Sequence, residues 1–184
     1  MGELGHGRLE RGADKERNAA AKNNHGDDRP VICDFTEHLD RIESVVRYYR
    51  KKFNTPVWLL GHSNGSISVT EFINRSAEAR SLVAGIITSG SRYEIEVQDG
   101  VNLPVLFLHH ERDGCKDTPY SYAKSNSEKA RSRNKGVTEL STVKGGEEKG
   151  DPCRDGRHMY LGAYEEAARF VEQFVTQHHP AGKP

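Results

Sequence analysis

A serine between two glycines, a carboxylate and a histidine are the side chains of this sequence that could together perform acyl transfer. The pentapeptide Gly61-His62-Ser63-Asn64-Gly65 follows the apolar run 56–60 and precedes apolar residues at helical spacing, so it lies where a strand turns into a helix. In so tight a turn we expect side chains at Gly61 and Gly65 to collide with neighbouring backbone. Ser63 is therefore the candidate nucleophile, and an ordinary serine in a glycine-rich loop is the alternative.

A serine hydroxyl is a weak nucleophile until a histidine, oriented by a carboxylate, removes its proton. We expect the carboxylate in the loop after the apolar run 104–109, and Asp113 is the first candidate. Glu111 and Asp117 are the alternatives. His109 and His110 come before this carboxylate, and we expect them to shape the pocket floor or to hydrogen-bond to the loop backbone.

The candidate base follows by elimination among the histidines downstream of Asp113. His178 and His179 fall in the tail after the last helix, whereas His158 lies in the loop between the last strand and the last helix. His158 would take the proton of Ser63 and return it to the leaving group. The backbone N–H of Asn64 would stabilise the oxyanion, and the sequence reveals no second donor.

The chain has three cysteines, and two of them flank the candidate acid and base. Cys115 comes two residues after Asp113, and Cys153 comes five residues before His158. A disulfide between them would tie the two loops together and favour a periplasmic or secreted protein. Two reduced thiols in a cytoplasmic protein are the alternative. No spacing supports a metal site, and we expect no metal and no cofactor.

Four short apolar runs alternate with helical patterns over the rest of the sequence. The runs are 56–60, 82–89, 104–109 and 138–143, and the helices are at about 34–52, 64–77, 118–132 and 161–177. Strands separated by helices predict parallel pairing through right-handed crossovers. We therefore predict an α/β fold, with a mostly parallel sheet of about four strands and flanking helices. The run 56–60 is very apolar for an edge strand, yet no upstream segment looks able to cover it.

Length and composition indicate one domain. Residues 1–33 predict an irregular or disordered segment, 34–177 the domain, and 178–184 a disordered tail. The 27 basic residues equal the 27 acidic ones, so we expect neither a nucleic-acid nor a membrane partner. We find no transmembrane run, and the start lacks the apolar core of a signal peptide.

The stretches 57–65, 105–115 and 151–153, followed by His158, resemble the α/β-hydrolase superfamily, specifically its lidless dienelactone-hydrolase-like branch. The resemblance implies an eight-stranded, mostly parallel sheet, of which the four strands here would match the carboxyl-terminal half. The first half, which normally supplies the second oxyanion donor, has no counterpart in this sequence. We therefore expect weak catalysis from this chain.

The function expected from these residues is hydrolysis of a small carboxylic ester or thioester through an acyl-enzyme, by Ser63, His158 and Asp113. Acyl transfer to an acceptor other than water is a weaker reading, because the same three groups permit it. The alternative from another class is a non-catalytic binding module. It would retain the pentapeptide as a structural turn and associate with another chain through the strand at 56–60.

Overall fold

The computed structural model of the protein describes residues 35–93 and 95–180. The irregular segment expected at 1–33 and the last part of the expected tail, 181–184, lie outside the described residues. The chain divides into two compact units, Met1–Ile42 and Glu43–Pro184. In the first unit the structure describes only the opening residues of one helix. The second unit contains the sheet and every candidate site residue.

Helices and strands alternate along the described residues, as the sequence predicts. They are α1 (Phe35–Phe53), β1 (Val57–His62), α2 (Asn64–Arg75), α3 (Ala77–Ser81), β2 (Val83–Ser89), β3 (Val105–His110), α4 (Tyr120–Arg133), β4 (Thr138–Val143) and α5 (Tyr164–His178). The four strands form one parallel sheet in the order β1-β2-β3-β4. The predicted α/β fold is therefore confirmed.

Burial of the strands follows their composition. Every residue of β2 and β3 is buried, as expected for apolar central strands of a parallel sheet. Among the described strands, the polar strand β4 is half-buried at one edge of the sheet. Of the strands that the structure describes, the apolar strand β1 lies at the other edge, where Leu60 is 54% exposed.

Helix α5 covers one face of the sheet through the apolar side chains on one side of the helix. Its residues Ala167 and Phe174 pack in a core cluster with Leu106 and Leu108 of β3. The indole of Trp58 on β1 meets the ring of Phe174 edge-on, with centroids 5.8 Å apart. This packing fixes the carboxyl ends of the strands relative to the loop that precedes α5. Within the described part of the chain, the structure has no helix of the length and apolarity that a membrane crossing needs.

Two helix boundaries differ from the sequence prediction for local reasons. The helix expected at 64–77 is interrupted at Ser76, whose backbone is extended and whose Oγ accepts a hydrogen bond from the N–H of Ala79. Serine favours this capping position over a helix interior. The last helix begins at Tyr164, because Gly162 adopts a positive φ of 73° that a helix does not allow.

Candidate active site

Ser63 occupies a strained turn between β1 and α2. Its φ of 53° and ψ of −117° are unfavourable for a residue with a side chain, and its backbone N–H donates to the carbonyl of Ser89 at 2.8 Å. A Cβ atom at Gly61 would lie 2.0 Å from the carbonyl oxygen of Gly65, so the turn requires glycine at position 61. The expected collision at Gly65 is wrong, because a Cβ atom there would have no neighbour within 4 Å.

Asp113 lies just beyond β3, with its side chain only 2% exposed. Its Oδ2 accepts hydrogen bonds from His158 Nδ1 at 2.9 Å and Thr118 Oγ1 at 3.1 Å, and His109 Nε2 lies 3.3 Å away. Its Oδ1 accepts from the N–H of Cys115 at 2.9 Å. Burial by itself would raise the pKa of Asp113, but the hydrogen bonds from His109, His158 and Cys115 outweigh it and hold the pKa well below its ordinary value.

The ionised carboxylate determines which nitrogen of His158 carries a proton. A carboxylate can only accept, so the hydrogen of the contact between Asp113 and His158 belongs to Nδ1. The hydroxyl of Thr118 lies 3.1 Å from the same Nδ1 and supports that orientation. Neutral His158 therefore has its lone pair on Nε2, which is the form that a general base requires.

His109 contributes to the acid in a way that the sequence did not suggest. The N–H of Ser91 donates to His109 Nδ1 at 3.1 Å, so the hydrogen of the neutral ring is on Nε2. This Nε2 donates to the carbonyl of Thr118 at 2.8 Å and also faces Asp113. The expected hydrogen bonding of His109 to backbone is confirmed, and its contact with Asp113 is an addition.

The neighbouring candidates have other surroundings. His110 is bound to backbone, as expected: its Nδ1 accepts from the N–H of Arg112 at 2.9 Å, and its Nε2 donates to the carbonyl of Gly145 at 2.5 Å. Glu111 and Asp117, the alternatives for the acid, are both exposed. Burial and hydrogen bonding therefore favour Asp113 as the partner of His158.

The histidines of the expected tail also lie elsewhere. His178 is the last residue of α5, and its Nε2 lies 3.2 Å from Glu139 Oε1 on β4. His179 follows the helix and accepts a hydrogen bond from the indole N–H of Trp58 at 3.3 Å. Neither interaction involves the loop after β3 that carries Asp113.

The pentapeptide approaches His158 through the residue that precedes the serine. The rings of His62 and His158 lie with centroids 4.7 Å apart and planes inclined at 47°. Within residues 35–93 and 95–180, the structure has no hydrogen bond from Ser63 Oγ to His158. The structure thus joins Asp113 to His158 and brings the turn alongside them, without a closed serine–histidine contact.

Asn64 begins helix α2 directly after the serine. An N–H at the first position of a helix has no partner within the helix, so it is available to an oxyanion beside Ser63. The Oδ1 of Asn64 accepts a hydrogen bond from Arg92 Nη1 at 2.8 Å. This contact keeps the Asn64 side chain on Arg92 rather than on the helix terminus.

Of the two alternatives for these cysteines, the structure has Cys115 and Cys153 paired at a disulfide distance of 2.07 Å, across a sequence separation of 38. It ties the loop that carries Asp113 to the loop that leads to His158. Closing a loop of this length stabilises a folded protein by about 4 kcal/mol in the chain-entropy model. Both sulfur atoms lie near a carboxylate of Asp117, but their bond to each other leaves no thiolate to bind a metal.

A second group of polar residues, on the serine side, escaped the sequence reasoning. His62 Nδ1 lies 2.9 Å from Ser89 Oγ, which lies 2.8 Å from the hydroxyl of Tyr160, which donates to the carbonyl of Leu108 at 3.0 Å. His62 and Ser89 are the last residues of adjacent strands and are paired in register. Alignment of the two apolar runs in the sequence was therefore the signal that could have placed these residues side by side. Nothing local pointed to Tyr160 or Thr118, which reach the site from loops.

No protein-family model matches this chain, and no curated protein matches it either.

Proposed function

We propose that this protein is a serine hydrolase of the α/β-hydrolase type, which cleaves a small carboxylic ester or thioester. The observation that carries the proposal is the buried pair of Asp113 and His158 beside a strained serine. Ser63 follows β1, Asp113 follows β3 and His158 follows β4, so all three belong to the carboxyl ends of parallel strands. Functional groups of open parallel sheets gather at that edge.

The chemistry follows from the protonation states of these groups. Ser63 Oγ attacks the carbonyl carbon while His158 Nε2 removes its proton, and the oxyanion accepts a hydrogen bond from the N–H of Asn64. The bond to the leaving group then breaks, and His158 returns the proton to the leaving oxygen or sulfur. Water, activated by the same imidazole, releases the acid from the acyl-enzyme. Asp113 stays ionised and stabilises the imidazolium throughout.

The proposed rate is low, because Asn64 is the one oxyanion donor that we assign. Removal of one such donor from a hydrolase lowers the rate by about 100- to 1000-fold. We expect Ser63-dependent hydrolysis of p-nitrophenyl acetate or butyrate that is slow in comparison with a two-donor enzyme. Fast hydrolysis that disappears in Ser63→Ala would contradict the assignment of a single donor.

The disulfide supports an oxidising location for this activity, either periplasmic or secreted. Disulfides persist where glutathione and thioredoxin do not reduce them. The bond between Cys115 and Cys153 holds the loop of Asp113 to the loop of His158. Reduction of the bond would therefore loosen the two loops that carry the proposed acid and base. Protein isolated from its native compartment under thiol-blocking conditions should show both cysteines bonded.

A second candidate function, association with another chain, is favoured by the exposed edge of β1. Leu60 on this edge strand is more than half exposed and borders an apolar groove of about 490 Å³. The groove is lined by Leu108, Tyr160, Ala167, Val171 and Val175 in addition to Leu60. An edge strand with apolar side chains is a template for pairing with another strand.

A fluorophosphonate probe with a mass-spectrometric readout separates the two candidates. The hydrolase proposal predicts a covalent adduct on the peptide containing Ser63 and its loss in Ser63→Ala. Ser127→Ala is the matched control, since that hydroxyl is buried on α4 and donates to the Lys124 carbonyl. A folded protein that stays unlabelled, and whose assembly is lost in Leu60→Lys, would favour the association module.

A further inference from the structure

The strand register aligns three residues across the sheet on the serine side of the site. His62 pairs with Ser89 at the ends of β1 and β2, and Ser89 pairs with Leu108 of β3, two residues before that strand ends. Residues paired in register share a face of the sheet, so the side chains of His62 and Ser89 meet. The hydroxyl of Tyr160 reaches this row from the loop that also carries His158.

The hydrogens in this row have a single consistent arrangement. The carbonyl of Leu108 can only accept, so it takes the hydrogen of the Tyr160 hydroxyl. Ser89 must then donate to the oxygen of Tyr160, and the remaining hydrogen, between Ser89 and His62, belongs to His62 Nδ1. The neutral ring of His62 is therefore fixed with its hydrogen on Nδ1 and a bare lone pair on Nε2.

The Nε2 of His62 is buried without a hydrogen-bond partner among the described residues. Burial lowers the pKa of His62 to about 4, and the nearby charge of His158 acts in the same direction. The ring is thus uncharged at neutral pH. A cationic ring at this distance would oppose the imidazolium that forms on a catalytic histidine.

Gly90 closes the space between the two imidazoles. A Cβ atom at this position would lie 3.0 Å from Cε1 of His62 and 3.2 Å from Cε1 of His158. The φ of Gly90 is +55°, which favours glycine in any case. The two rings and the Gly90 backbone therefore pack without room for a methyl group, and movement of either ring is restricted by the other.

We propose that His62 is a positioning residue for His158: held at Nδ1 by Ser89, which Tyr160 holds in turn, the ring of His62 limits the tilt of the His158 imidazole on the serine side. This inference rests on the proposed hydrolase function. Asp113 and Thr118 both hold His158 at Nδ1, and a ring held at one atom can still tilt. The ring of His62 supplies the second constraint, from the side of the nucleophile.

Two substitutions distinguish the contribution of the His62 ring from that of its hydrogen bond to Ser89. His62→Asn retains an N–H for Ser89 but removes the ring, whereas His62→Phe retains a ring and removes the N–H. The rate constant for fluorophosphonate labelling of Ser63 should fall by about 10- to 100-fold in His62→Asn, as for a misplaced catalytic group. It should fall less in His62→Phe. His178→Asn is the matched control, because that ring also packs on a neighbour, Phe174, at 4.6 Å.

Proton NMR of the imidazole N–H between His158 and Asp113 distinguishes positioning from general support of the fold. We expect this signal to broaden by exchange in His62→Asn, while the melting temperature falls no more than in His178→Asn. A labelling rate within twofold of the wild type in His62→Asn would overturn the inference. So would a slower rate accompanied by an unchanged imidazole signal and a matching loss of stability. If the folded wild type is not labelled at all, the proposed hydrolase function fails and the inference fails with it.

Discussion

The acid side and the serine side of the candidate site are held in different ways. Asp113 is surrounded by four donors, on His109, Cys115, Thr118 and His158, and the adjoining loops are joined by a disulfide. On the serine side, the hydroxyl of Ser63 has no comparable set of partners among the described residues. There, the strained backbone and the close approach of Gly61 to Gly65 determine the geometry.

This difference shows which kind of change each side tolerates. Asp113 accepts several hydrogen bonds, so the loss of one of them leaves the others in place. The acid side is then weakened but keeps its arrangement. A strained turn that excludes a side chain has one workable conformation and fails as a whole. The two sides should therefore respond differently to equally small substitutions, and four predictions test this contrast.

The largest expected effect is that of Asp113→Asn. The amide can donate a hydrogen bond to His158 Nδ1 and thereby favour the wrong tautomer, which in serine proteases lowers the rate by about 10⁴-fold. We expect a comparable fall in the labelling rate of Ser63. Asp117→Asn, an exposed carboxylate in the same loop, is the control and should keep the wild-type rate. Equal losses in both variants would remove Asp113 from its assigned role.

Gly61→Ala tests the serine side. The new methyl group would overlap the Gly65 carbonyl, and we expect the free energy of unfolding to fall by at least about 4 kcal/mol. Gly65→Ala is the matched control, since a methyl group there meets nothing within 4 Å. Urea denaturation measures both variants. Similar stability for the two would show that the close approach at Gly61 does not determine the turn.

Removal of the disulfide tests the support of the acid side. The double variant Cys115→Ser/Cys153→Ser should lose about 4 kcal/mol of the free energy of unfolding, because the unfolded chain is no longer constrained. We expect the turn at Ser63 to persist, since its hydrogen bond runs to Ser89. Denaturation under reducing and non-reducing conditions gives the same comparison in the wild type. A change below about 1 kcal/mol would mean that the bond adds little to the site.

The smallest expected effect is a difference in pH dependence between the two sides. The pKa of His62 is about 4 when folded and about 6.5 when unfolded, so the unfolded chain binds a proton first. The free energy of unfolding should therefore fall by about 3 kcal/mol as the pH drops from 6.5 to 4. Asp113 has a lowered pKa, so its contribution is complete above its ordinary value of 3.8 and is lost only at more acidic pH.

Urea denaturation between pH 4 and 7 separates these two windows. His62→Asn cannot bind the proton, so its stability should depend on pH by about one proton less than the wild type over this range. Parallel curves for the two proteins would show that His62 titrates normally in the folded state. In both proteins the loss due to Asp113 should appear only below the pH 4 end of this range.

The sequence predicted the acid side better than the serine side, for a physical reason. Alternating apolar runs and helical patterns are local, and they located all four strands and the loops that carry Asp113 and His158. Cys115 and Cys153 could be recognised as a candidate pair because the chain has three cysteines and these two lie close to Asp113 and His158.

Contacts made across the sheet were not predictable in the same way. The row of His62, Ser89 and Tyr160 depends on the register between β1 and β2, which separate apolar runs do not specify. The requirement for glycine at Gly61 but not at Gly65 depends on which backbone atoms approach after folding. Local sequence patterns predict helices and strands, whereas contacts of this kind form only when the helices and strands pack together.

The central claim, that Ser63, His158 and Asp113 form one catalytic unit, is tested most directly by a crystal structure of the phosphonylated protein. The account predicts an adduct on Ser63 Oγ, with Nε2 of His158 within about 3.5 Å of the Ser63 oxygen or an adduct oxygen and Nδ1 still bound to Asp113. An adduct on another residue would contradict the account. So would a His158 ring whose Nε2 is turned away from the adduct.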